Sequence, residues 1–237
     1  MPFVAGAAAV AKPAAAASTD APGNAGLAAT QCAIGEERIL PGDYYYCLGR
    51  QSYGEQRHDD AQRFFTTAAG WASKPAQYVL AVMALDGDHQ PVNRPLALAW
   101  LALASERPGS RFKAIHDALD AKASEAERQS AVQWLAKLRP TYGDATAAVR
   151  AEKRYALGMA SIDRLSAAGG NYCMEGTTDL AHAPSGPTDP TQCPPIQKVV
   201  SAIDRTAADL FDGWSGHVEV GPLQQVDAPA ARPRGTK

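Results

Sequence analysis

Residues 60–87 read DAQRFFTTAAGWASKPAQYVLAVMALDG, and their small side chains recur at helical spacings: Ala61, Ala68 and Ala69, then Ala76 and Ala81. Aromatic residues, among them Phe64, Phe65 and Tyr78, fill the intervals. A leucine at each alanine site would remove more apolar surface from water. Alanine is the better residue where a larger one would overpack, as it does where two helix backbones approach closely. The pattern therefore predicts helices on both sides of the turn near Lys74-Pro75, drawn together at their alanines. Composition agrees. Hydrophobic residues make up 46% of the 237, alanine supplies much of that, and aromatics are 7%. This is a helix-forming rather than a strand-forming balance.

Outward from this stretch the pattern repeats. Leu48-Gly49 aligns with Leu80-Ala81, which sets Tyr46 on Tyr78 and Arg50 on Val82. Downstream, AQRFFTTAA (61–69) aligns with ALAWLALAS (97–105), matching Ala61 to Ala97, Phe64 to Trp100 and Ala68 to Ala104. Two helix–turn–helix units emerge. Their helices are expected at 43–53 and 59–71, then at 75–85 and 95–106, with Pro75 and Pro95 in first turns. One such unit cannot bury its apolar face alone, so units stack.

Leu48-Gly49, Ala61, Phe64, Ala68-Ala69, Leu80-Ala81, Gly87 and the run VNRPLALAWLALAS (92–105) resemble Sel1-like repeats over residues 43–139. That pattern has an L-G pair early in the first helix, a turn glycine, then A-x-x-W/F and A-A in the second. Ala81 departs from the family's glycine, and the first unit is shortened through YGEQRHD. The resemblance implies an α-solenoid of the tetratricopeptide type that serves as a protein-binding scaffold and, in bacterial members, is often exported.

Beyond the two units, a helix is expected at 111–122. SEAE (124–127) reads as a capping box and opens a helix stopped near Pro140. Asp144 is placed to N-cap a helix running to about Leu165, and 196–211 is a further amphipathic helix. A short extended edge is expected around Val218 and Val220. The fold class is all-α with at most one short strand. Its divisions are a leader that does not fold (1–30), the repeats (31–145), a helical extension (146–226) and a tail (227–237). The leader is either a remnant of an export signal or a plain Ala/Pro segment.

The four cysteines, Cys32, Cys47, Cys173 and Cys193, include no C-x-x-C pair, which leaves zinc ribbons and thioredoxin-like motifs without support. Each close pair brackets a Gly/Pro-containing segment. The pairing expected is Cys32–Cys47 and Cys173–Cys193, implying an oxidising compartment, the periplasm or the exterior. Four reduced thiols in the cytosol are the alternative.

Net charge is −2 and the pI about 6.2, so there is no basic field for nucleic acid. No run reaches the ~18 apolar residues of a bilayer span. In His58-Asp59-Asp60 the aspartates are expected to cap a helix. His116, Asp117 and Asp120 suit a solvated helix face. Asp86, Asp88 and His89 lack the closing glutamate of a calcium loop. No nucleophile-elbow, zincin or phosphate-loop pattern occurs. The expectation is a non-catalytic scaffold without cofactor or metal. The competing class is an exported hydrolase or redox enzyme using Asp179 and His182 on the cysteine-bounded loop. For the scaffold, Tyr46, Arg50, Tyr78 and Val82 fall on the first helices of the two units, the concave face. They are candidates to bind a protein or peptide, tyrosine and arginine being the residues of interface hot spots. The bland alternative has the tyrosines packing against the next helix or the N-terminal segment.

Overall fold

The computed structural model describes residues 23–169, 172, 174 and 196–216, and among them all regular structure is helical. In chain order these are α1 (Asn24–Ala28), a 3₁₀ turn (Glu36–Arg38), α2 (Pro41–Gly54), α3 (His58–Gly70), α4 (Lys74–Asp86), α5 (Arg94–Ala104), α6 (Lys113–Asp120), α7 (Glu125–Tyr142), α8 (Asp144–Ala167) and α9 (Ile196–Leu210). Adjacent helices pack α2 on α3, α3 on α4 and α4 on α5, and α5 is covered by both α6 and α7. α9 returns to touch α2 and α8. No described helix is long and apolar enough to cross a membrane.

The alanines sit where the sequence asks for close approach. Ala61, Ala68, Ala69, Ala76 and Ala81 are buried in one cluster with Phe65, Leu80, Trp100, Leu101 and Leu103. The closest glycine contact between α2 and α3 is at Gly49 on α2. A Cβ there would lie 2.6 Å from the Phe65 ring, and that ring is itself buried. Leu48, expected to face inward, is only half-buried. The glycine makes the contact. Gly49→Ala gains about 1 kcal/mol in helix propensity but forces overpacking worth about 1–3 kcal/mol. A net loss of stability is expected in urea unfolding; a variant more stable than the parent would show that α2 and α3 have room to spare.

A second cluster holds Ile39, Leu40, Ile162, Met174, Val199, Ile203, Ala207 and Leu210, bringing α8 and α9 under the start of α2. Ala72, Ala147, Ala148 and Ala151 pack with Trp71, Phe211 and Trp214 in a third. Cys32 and Cys47 are disulfide-bonded, as expected, tying the approach segment to α2. The expected Cys173–Cys193 bridge and the edge at Val218 and Val220 fall outside the described residues.

Four local expectations are corrected. α1 takes residues 24–28 out of the leader that was expected not to fold. It lies so close to α2 that a Cβ on Gly54 would meet the Ala28 nitrogen at 2.2 Å. α7 runs through Pro140 to Tyr142. Proline removes one helical N–H and crowds the preceding turn, and here that happens at the frayed end, on an exposed face. His58, Asp59 and Asp60 lie within the first turn of α3, after Arg57 at the N-cap. Asp60 pairs with Arg57 and Arg63 instead of capping. Asp144 is the first residue of α8, not its cap; Gly143 is the N-cap. Its carboxylate is taken by Arg107 and Lys74. The capping box at Ser124 and Glu127 forms in full, and Glu127 also accepts from Arg94 at 2.8 Å.

Candidate functional site

Where α4 begins, α5 ends, α8 begins and α9 ends, four helix termini converge. Their orphan backbone groups and two buried cations solve one another's problem. Arg107, in the turn after α5, is 6% exposed. Its Nε and Nη2 donate to the two Asp144 oxygens at 2.9 and 3.2 Å. Its Nη1 donates to the Leu210 carbonyl at 2.6 Å and to the Asp212 carbonyl at 3.2 Å. The guanidinium thus terminates α9, where cations are favoured, and neutralises an acid in the first turn of α8. Lys74, at the start of α4, donates to the Leu103 carbonyl at 2.7 Å. Its Nζ lies 3.0 Å from Asp144 and 3.4 Å from Glu106. Burial pushes its pKa below the usual lysine range, and Asp144 and Glu106 oppose that shift. Glu106 accepts the Asp144 N–H at 2.9 Å, supplying the capping bond that Gly143 cannot. Two cations and two carboxylates balance.

This network forms one wall of a cleft of about 510 Å³ between α2, α4, the turn at 105–112 and the end of α9. Asp43 on α2, Asp209 and Asp212 at α9, and Arg111 on the turn also line it. Burial raises the Asp43 pKa, Asp209 adds to the rise and Arg50 opposes it. The volume is in the range of small-ligand and side-chain pockets.

None of the four predicted binding residues lines this cleft. Tyr78 stacks on Phe112, centroids 5.0 Å apart, and Phe112 lines the cleft. Arg111 lies over the same phenyl ring at 4.9 Å. Tyr46 packs its ring against Phe65 at 5.9 Å, with Arg50 at 6.0 Å from its centroid. Burial raises the Tyr46 pKa, and Arg50 and Arg111 oppose the rise. Val82 is half-buried on α4 and is not among the lining residues. Tyr46 and Tyr78 both pack against the core cluster, and of the four only Tyr78 touches a residue that lines the cleft, Phe112. Among the described residues no group of three or more His, Cys, Asp or Glu side chains is placed to hold a metal ion.

Lys74, Arg107, Asp144, Asp43 and Asp209 were not singled out as a site from the sequence. Lys74 carried a faint signal, a charge inside the largely apolar run AGWASKPAQYVLAVMAL. Arg107 carried none, because its partners stand 37 and 103 residues away. The chain matches no protein-family model, no curated protein and no solved structure.

Proposed function

We propose that this chain is a non-catalytic, Sel1-like helical-repeat scaffold that binds a protein or peptide partner at the cleft flanked by α2, α4 and α9. The observation that carries the reading is how the cleft's groups are used. The buried cations that chemistry would need, Lys74 and Arg107, are spent on helix termini and on Asp144. What remains at the opening is Arg111 over Phe112, with Tyr78 stacked on the same ring; a second arginine–aromatic pair, Arg50 with Tyr46, lies on α2. Rings fixed by packing on one face, with a cation beside them, are pre-organised for recognition and lose little side-chain freedom on binding. The Cys32–Cys47 disulfide supports residence in an oxidising compartment such as the periplasm.

Photocrosslinking in the native host tests this. A crosslinkable residue replacing Tyr46 or Arg111 is expected to trap a discrete polypeptide, and one replacing Val132, exposed on α7, is not. Arg111→Ala is expected to weaken binding of the recovered partner tenfold or more. Turnover of an ester, phosphoester or peptide substrate by the purified chain, lost on substitution of cleft residues, would replace the scaffold with an enzyme. Equal trapping at all three positions would remove the cleft from the proposal.

A further inference from the structure

At the opposite end of the first two helix pairs, two inter-helix turns meet through a pair of imidazoles. His58 opens α3, and His89 lies in the turn between α4 and α5. Their rings stack with centroids 3.3 Å apart and planes 11° apart. His58 Nδ1 is buried without a hydrogen-bond partner, and Tyr53 of α2 meets that ring edge-on at 5.1 Å. Tyr53 Oη donates to Asp88 at 2.8 Å. The other oxygen of Asp88 lies 3.3 Å from His89 Nε2. Gln62 and Gln90 bridge the same two segments at 3.3 Å. Both turns hold a non-glycine residue in the left-handed region, Gln56 at φ 62° and His89 at φ 53°. Such backbone persists only where surrounding contacts fix it.

We propose that the His58–His89 stack is an acid-released clasp between the α2–α3 and α4–α5 turns. Neutral imidazoles stack without penalty. One imidazolium is tolerated, because Asp88 faces His89. Two are not: like charges at 3.3 Å repel even with His89 open to solvent on one side, and the proton on His58 Nδ1 would enter a buried place that offers no acceptor. The other charged groups of the two turns and α3 do not relieve this. Arg57 is held by Glu55 and Asp60, and Asp60 also by Arg63. Asp59 and, at the end of α4, Asp86 are solvent-exposed and screened by water and salt. Tyr53 from α2 is a donor already given to Asp88. Acidification therefore separates the rings, frees the turn held at positive φ by His89 and loosens one helix pair against the next.

Hydrogen exchange on the full-length protein tests this, corrected for intrinsic pH dependence. The reporters are the Asp88 and Asn93 amides, which bond the Met83 and Ala84 carbonyls at 3.0 and 2.7 Å. Both are expected to exchange at least tenfold faster at pH 5.0 than at pH 7.5. In His58→Gln, and in His89→Asn, whose asparagine tolerates positive φ, the ratio is expected to fall below twofold. Equal protection at both pH values in the parent protein would overturn the clasp. So would an acid-induced loss that persists in both variants, since it would belong to the carboxylates.

Discussion

Arg107→Ala is expected to destabilise the protein by about 3 kcal/mol, the lower end of what removing one partner of a buried ion pair costs, because Lys74 stays beside Asp144. The loss is not a single contact. Asp144 would stay 6% exposed with Lys74 as its remaining cation, and the Leu210 carbonyl would lose its 2.6 Å donor at the end of α9. Arg107→Lys is expected to recover little, because an ammonium cannot match the forked geometry that reaches two carboxylate oxygens and two carbonyls together. Urea unfolding of the three proteins checks this. An Arg107→Ala variant within about 1 kcal/mol of the parent, as removal of a surface pair would give, would mean that the wall of the cleft does not depend on this residue.

Glu36 gives the second large effect, read through pH. It is 7% exposed in the 3₁₀ turn ahead of α2. Burial, with Asp43 and Glu37 adding their negative charge, pushes its pKa up to about 8. The folded protein therefore holds a proton that the unfolded chain releases near the ordinary glutamate value of 4.5. Below pH 4.5 both states are protonated and the group contributes no pH dependence. From there to about pH 8 the folded state binds more protons, so stability falls as pH rises, by up to about 1.4 kcal/mol per unit. Above pH 8 both states are ionised and the slope flattens. Melting temperature is expected to drop between pH 5.5 and 8 in the parent protein. Glu36→Gln, a neutral shape mimic, is expected to flatten most of that drop and to be the more stable protein at pH 8. Asp43, raised in the same direction by burial, keeps a residual slope. A melting temperature that rises with pH over this interval would contradict the burial of a neutral Glu36.

The elements were legible because their signals are local. Alanines and aromatics at helical spacing located α2 to α5 within a few residues, and the Ser124–Glu127 box fixed the start of α7. Failures occurred where a distant partner decides. Asp144 has the chemistry of an N-cap, and a sequence offers no reason for its carboxylate to point elsewhere. Arg107, 37 residues earlier, supplies the reason. The short α1 hides in an Ala/Gly-rich segment whose composition argues against order. It is held by its fit against Gly54 and by the bridge from Cys32 to Cys47 just beyond it. The cleft was barely legible: repeat alignment leads to Tyr78, which meets it only through Phe112, whereas its charged wall depends on bonds spanning up to 105 residues.

Those long spans also order events during synthesis. Arg107 leaves the ribosome 103 residues ahead of the Leu210 carbonyl it will hold. At about 5–20 residues per second that is an interval of roughly 5–20 s. Helices α2 to α5 and Asp144 all precede α9 in the chain, so the carboxylate partner of the guanidinium is made before its carbonyl partners. The N–H groups that face α9 must wait in water. The last helix is thus a latch whose keeper is made well before it, and a chain that stops before residue 210 leaves Arg107 Nη1 without its two carbonyl acceptors.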